Sequence, residues 1–279
     1  MTATDDARYP RAEWRLLVER EPRAASENMA LDEAIMEAVA AGSVPPTLRF
    51  YQWAPPGLSL GRRQPLSGVD LAACARDGVD VVRRVTGGFA ILHTDELTYS
   101  VATLPDDPRA AGAILDAYRS LSQGLLAGLR LLGVAAEMNP VVPGGTHNAS
   151  AACFEVPSAY EIVAGERKLI GSAQARPAGR VVQHGSLPLS GDIARVVRYL
   201  RFDTEEDRER LALHLRERAT TLGDLLGRPV DFAAAAEALG RGFAAALNVG
   251  LLPGTLTAGE REAAARAAPD NVVREGALR

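Results

Sequence analysis

Lys168 is the only lysine in a chain of 279 residues; the other 30 of its 31 Lys and Arg side chains are arginine. It lies in Glu166-Arg167-Lys168-Leu169-Ile170-Gly171-Ser172. A guanidinium stays protonated in proteins, whereas a desolvated ammonium can lose its proton and serve as an acid or base. A lysine kept in an arginine-rich chain is therefore a candidate for proton chemistry; the bland alternative is a solvated surface lysine. Fifteen residues upstream, Cys153 sits just past a loop in Ser150-Ala151-Ala152-Cys153-Phe154-Glu155-Val156-Pro157-Ser158. An ammonium beside a thiol stabilises the thiolate and can bring a cysteine from about 8.5 to somewhere within roughly 3.5–7.5. The thiolate is the nucleophile, so the pair could form a covalent acyl intermediate. Once sulfur carries an acyl group its charge is gone, and the lysine can yield its proton and act as general base. The alternative for Cys153 is a buried, inert thiol. Cys74, within Leu71-Ala72-Ala73-Cys74-Ala75 on an expected helix, reads as a core filler.

Two further segments could bind what such a pair would act on. In Arg83-Arg84-Val85-Thr86-Gly87-Gly88-Phe89-Ala90-Ile91-Leu92-His93, two glycines after a strand let backbone N–H groups approach a ligand, and two arginines can meet an anion. The spacing is neither that of a phosphate-binding P-loop nor that of a dinucleotide fingerprint. A tight hairpin between core strands, with a structural His93, is the competing explanation. Downstream of Lys168, Gly171 and Ser172, then Gln183 and His184, are the expected substrate-contacting neighbours.

The elements that must position these residues read as follows. A loose tail over 1–12 precedes a strand from Trp14 to Val18. Ser26 is placed to cap a helix from Glu27 to about Ala41. Strand character follows at Thr47–Trp53, Leu58–Gly61, Val79–Arg83 and Leu97–Thr103, with a short helix over Val69–Ala75. The longest helix candidate covers 109–132, and residues 139–151 have loop composition. Strands are expected at about 158–164, 168–174 and 180–188, and helices from Asp192 onward. Strands mixed with helices without strict alternation predict an α+β fold. The expected organisation is one catalytic domain over 14–252 and a peripheral extension over 253–279.

Bulk properties narrow the function class. The chain is 47% hydrophobic and 24% charged, an ordinary soluble composition. A net charge of −4 argues against a general nucleic-acid binder. No apolar run reaches the length of a membrane span, and the acidic N-terminus lacks the marks of a signal peptide. Two cysteines make neither a disulfide framework nor a zinc pattern, so a cytoplasmic protein is expected.

At these segments the chain resembles the biotin/lipoate protein ligase superfamily, and within it the LipM-type octanoyltransferases. The resemblance runs from about Trp14 to Leu252. It rests on ordered blocks: Asn28 to Ala34, Arg49 to Trp53, Leu58 to Gly61, Arg83 to His93 continuing through Glu96 to Ser100, Cys153 to Ser158, Lys168 to Gln174, and Gln183 to Ser186. It implies a mixed, largely antiparallel sheet flanked by helices. It also implies transfer of an octanoyl group from octanoyl-acyl carrier protein, through a cysteine thioester and without ATP or other cofactor, to a lysine of a lipoyl domain such as glycine cleavage H protein. The thioester cysteine then falls on Cys153 and its lysine on Lys168. The superfamily's acyl-binding loop falls on Arg84, Thr86, Gly87, Gly88 and His93. Such partners are acidic, and Arg62, Arg63, Arg83, Arg84, Arg167, Arg176 and Arg180 are candidates for a basic docking face on an expected monomer. Phe89 departs from the family pattern, since ligases usually carry a third glycine there, and its bulk is expected to shorten or reshape the pocket. His93-Thr94-Asp95-Glu96-Leu97 departs from the usual continuation of the ATP-using ligases. Competing functions are an amidotransferase working from H protein, an ATP-dependent lipoate ligase, and a non-catalytic acyl-binding module.

Overall fold

The computed structural model describes residues 8–139 and 161–273. In chain order it contains β1 (Ala12–Val18), α1 (Ala25–Ala40), β2 (Thr47–Tyr51), β3 (Gly57–Leu60), α2 (Leu71–Arg76), β4 (Asp80–Arg83), β5 (Ile91–His93), β6 (Glu96–Thr103), α3 (Ile114–Leu131) and β7 (Glu137–Met138). There follow β8 (Ile162–Ala164), β9 (Arg167–Ala175), β10 (Val181–Pro188), α4 (Glu205–Arg218), α5 (Leu222–Leu226), α6 (Phe232–Leu247), β11 (Val249–Pro253) and α7 (Ala258–Asn271). Eight strands form one sheet in the order β11-β1-β2-β6-β10-β9-β8-β7. Only β11-β1 and β1-β2 pair in parallel; the rest of that sheet is antiparallel. A second sheet of three strands has the order β4-β3-β5. The expected α+β class with a mixed, largely antiparallel sheet is what the chain adopts.

Because side chains alternate across a strand, the pairing register sorts the large sheet into two faces. Leu48, Phe50, Tyr99 and Val101 point to one face, where Leu121, Leu125 and Leu129 of α3 and Leu239 and Phe243 of α6 bury them. The two helices pack glycine against backbone: a Cβ added at Gly128 would lie 2.6 Å from Leu239 Cα. The opposite face carries Arg49, Tyr51, Thr98 and Ser100, and α1 and the small sheet cover it. That face is the polar one. No helix among the described residues is long and apolar enough to cross a membrane.

Two expectations need correction. The helix expected over 109–132 begins only at Ile114. Arg109 is buried and donates to the Leu247 and Asn248 carbonyls, and Gly112 turns the chain at φ +83°. The cap of α1 is Ala24 rather than Ser26, which falls inside the first turn. Described residues of the expected extension contact the body. Leu256 and Ala264 join Leu31 and Ile35 in one cluster, and buried Glu260 takes two hydrogen bonds from Arg15. Strand β11 was not anticipated at all.

Candidate active site

A continuous polar network fills the seam between the two sheets, and Asp32 is its anchor. This α1 carboxylate is buried, and four donors reach it. Oδ1 accepts from Arg49 Nη1 and Ser100 Oγ at 2.8 Å each, and Oδ2 from Tyr51 OH at 2.8 Å and His184 Nδ1 at 3.2 Å. Burial pushes the Asp32 carboxyl up, but the His184 hydrogen bond and the Arg49 charge outweigh it and leave it below the ordinary value. For His184 burial dominates. It holds the ring below the usual histidine value despite Asp32, with Arg84 and His93 pushing the same way. The imidazole is therefore neutral near pH 7.

From His184 the network crosses to the small sheet. His184 Nε2 lies 2.7 Å from Thr86 Oγ1, and Ser59 Oγ lies 2.7 Å from His93 Nε2. His93 Nδ1 in turn faces Glu96 Oε1 at 2.7 Å. These are two parallel arrays of carboxylate, histidine and hydroxyl, and both end on Arg84. Arg84 Nε donates to Thr86 Oγ1, while Nη1 donates to the Ser59 carbonyl and Oγ. With both hydroxyls accepting from Arg84, each can give its own proton to a histidine Nε2. That arrangement places the histidine proton on Nδ1, facing the carboxylate. Trp53 closes the seam: its indole donates to Thr98 Oγ1 at 2.7 Å, and its ring stacks on His93 at 4.0 Å between centroids.

Arg84 was expected to meet an anion, and its geometry shows a different task. Its Nη2 donates to the carbonyls of Gly87 and Phe89 at 2.8 Å each, so all five of its N–H groups are engaged within the protein. It is a strut beneath the glycine turn. Arg83 is likewise committed, to the carbonyls of Gly61, Arg62 and Gln64. The turn itself is exposed at Gly87 and Gly88. Gly88 has φ +93°, and the Gly61 backbone lies so close that a Cβ there would sit 2.0 Å from Gly88 O.

Lys168 is buried on β9 and pairs with the buried carboxylate of Glu161. A break in register near Ile162 and Val163 pairs Ile162 with Ile170 but Val163 with Lys168, so β9 carries one extra residue there. In a regular strand Lys168 and Gly171 would point to opposite faces; the bulge turns them to the same one. The stem confirms it, since a Cβ on Gly171 would lie 3.1 Å from Lys168 Cε and 3.4 Å from Nζ. Gly171 is in register with Ser186, whose hydroxyl donates to Glu96 Oε2. The amine thus shares a face with the polar seam.

Of the expected site residues, Arg84, Thr86, Gly87, Gly88, His93, His184, Gly171 and Lys168 come together on this side. Ser172 and Gln183 do not. Their side chains join Tyr99 on the helix-covered face: Tyr99 OH donates to Ser172 Oγ, and Gln183 Nε2 donates to Tyr99 OH. Cys153 lies outside the described residues. Cys74 is a buried core residue whose thiol burial pushes up to about 11. The reading of motifs assigned no role to Asp32, Glu96, Ser59, Trp53 and Glu161. A carboxylate between Leu31 and Ala34 on a buried helix was the available signal for Asp32.

The lipoyl protein ligase A/B catalytic domain matches residues 24–244. Octanoyltransferase LipM of Kyrpidia tusciae is 46% identical over 256 residues, spanning 90% of this chain and 93% of its own.
The chain belongs to this family.
Octanoyltransferase LipM of Symbiobacterium thermophilum is also 46% identical, over 89% of this chain and 91% of its own. This LipM-type chain is an enzyme of the acyltransferase class. Its fold matches the bipartite lipoate protein ligase of Thermoplasma acidophilum with a TM-score of 0.76 at 25% identity, covering 96% of this chain and all of that one. A lipoate-protein ligase A bound with ATP superposes with a TM-score of 0.74 at 26% identity, covering 92% and 94%.

Proposed function

We propose that this chain moves an octanoyl group from octanoyl-acyl carrier protein, by way of a Cys153 thioester, to a lysine of a lipoyl domain such as glycine cleavage H protein. The observation that carries the reading is the placement of the sole lysine. It is buried, ion-paired and turned by a bulge toward the face that holds the glycine turn. The octanoyltransferase names of the LipM relatives support the acyl group.

The chemistry balances without ATP. Cys153 thiolate attacks the donor carbonyl, a C–S bond forms, and the donor C–S bond breaks. The departing carrier thiolate takes the proton of the Lys168 ammonium. The acceptor amine then attacks the enzyme thioester and gives a proton to the Lys168 amine. A C–N bond forms, and Cys153 thiolate returns beside a Lys168 ammonium. The first exchange is nearly balanced in energy and the second runs downhill. About six buried methylenes at ~0.8 kcal/mol each supply on the order of 5 kcal/mol of recognition for the tail.

The test is an intact mass of the protein mixed with octanoyl-acyl carrier protein, without ATP, beside Cys153→Ala. One octanoyl group on the wild type alone, labile to hydroxylamine, is the expected result. No adduct from that donor would overturn it. Octanoyl-H protein, and then ATP with lipoate, would be the next donors to test.

A further inference from the structure

A lysine that must cycle between ammonium and amine needs its proton affinity set by something. The residues around it are specific. From the residue just before β8, the Glu161 carboxylate meets Nζ directly, and both side chains are only 5% exposed. Glu161 is itself fixed in the backbone, its carbonyl accepting from Asn139 N–H at 2.8 Å. From the stretch after α4, Thr220 N–H holds the Lys168 carbonyl at 3.0 Å, and that approach is through backbone. Along β9, Gly171 leaves the space the lysine stem occupies. Across from Gly171, β10 offers Ser186 and His184, with Glu96 of β6 behind the Ser186 hydroxyl. Glu166 and Arg167, the charged neighbours in sequence, are exposed.

We propose that Glu161 is a positioning residue of the transfer reaction, holding the Lys168 ammonium over Gly171 and setting its proton affinity. This rests on the reading of Lys168 as the reacting amine. The carboxylate does two things in the cycle. In the resting enzyme it keeps the lysine charged, so that a neighbouring thiolate has a counter-ion. After the first half-reaction it makes the neutral Lys168 amine a stronger base toward the attacking acceptor amine, because the proton it takes is received beside a carboxylate. Lys168 is in register with Val163 and so shares its face with Glu161, two residues earlier, while the bulge in β9 aligns that face with Gly171.

The composition offers a direct readout. Protein grown on lysine labelled at Cε and Nζ gives a single side-chain ammonium signal, which can be titrated by NMR without reference to activity. Wild type, Glu161→Gln and Glu161→Asp are compared, with thermal melts to confirm folding. Glu161→Gln is expected to lower the amine's midpoint by about one pH unit or more, a tenfold loss of proton affinity. The alkaline limb of the donor kcat/KM profile is expected to move down by the same amount. Glu161→Asp, which keeps the charge at shorter reach and covers the case that the glutamine variant does not fold, is expected to recover most of the shift. A Glu161→Gln midpoint within about 0.3 unit of wild type would overturn the role, as would a rate profile that stays put while the amine moves. Lys168→Arg separates the two readings. If it abolishes transfer while the Glu161→Gln midpoint is unchanged, only the Glu161 role fails. If Lys168→Arg transfers at the wild-type rate, the functional reading fails and takes this role with it.

Discussion

His184 Nε2 lies 2.7 Å from Thr86 Oγ1 across 98 residues of sequence, and this contact ties the large sheet to the glycine turn. It works only with the ring neutral, since Nε2 must accept the threonine proton while Nδ1 faces Asp32. The sign of the pH effect follows. His184 is held below its ordinary value, so between that depressed value and about 6.5 the unfolded chain binds a proton that the folded one refuses. Stability therefore rises with pH through that window and is lost as pH falls below about 6.5. Asp32, held below its own ordinary value, adds a further loss only at lower pH, below about 3.9. Melting at about pH 7.5 and 5.5 should show the acid penalty in the wild type, and His184→Gln should be less stable at 7.5 but lose less on acidification. An equal penalty in both proteins would mean that His184 is not the group responsible.

Arg84 spends all five N–H groups on Thr86, Ser59, Gly87 and Phe89. Lysine has three donors and no planar fork, so Arg84→Lys must leave at least two of the five contacts unmade. A loss of about 2–4 kcal/mol in urea unfolding is expected, together with lower transfer activity. Stability within about 0.5 kcal/mol of wild type would show that the strut carries no load.

The two glycines of the turn should behave differently. At Gly88, φ is +93° and a Cβ would lie 2.9 Å from Arg84 Nη2. Gly88→Ala should cost about 1–2 kcal/mol. At Gly87 nothing lies within 4 Å of an added Cβ, and Gly87→Ala should leave stability within about 0.5 kcal/mol. If Gly87→Ala melts like wild type yet transfers poorly, the turn at that point faces substrate. A Gly88→Ala variant as stable as wild type would contradict the turn geometry.

Lys168→Arg should split the reaction. An arginine supplies the fixed charge that favours a thiolate and cannot take a proton from the acceptor. The variant should still become acylated by octanoyl-acyl carrier protein, while transfer onward falls by about a hundredfold or more. Single-turnover mass spectrometry follows the two halves separately. Equal loss of both steps would argue that arginine simply does not fit beside Glu161.

The sequence was legible where chemistry and local pattern coincide. A lone lysine among 30 arginines stands out by composition, and the strand, double-glycine and histidine order marks the turn. Most strands of the α+β core were likewise readable from runs such as Thr47–Trp53 and Leu97–Thr103. Strand β11 was not, because five residues directly after a helix carry little pattern of their own and become a strand only by pairing with β1. The bracing contacts of Arg84 were not legible for a related reason: an arginine before two glycines looks like an anion site until the acceptors Ser59 and Thr86 fold around it.

Residue types alone thus determined which groups could nucleophilically attack, hold charge or move a proton, because those capacities belong to the side chain. Which of them share a face was decided only in three dimensions. Ser172 and Gly171 are neighbours in sequence, yet strand alternation sends one to Tyr99 and the helices and leaves the other under Lys168. Lys168 joins the polar face through a single extra residue in β9, and its partner Glu161 comes from the adjacent strand. A shift of one residue in register exchanges the faces of a strand, and register is set by pairing with distant segments rather than by the strand itself.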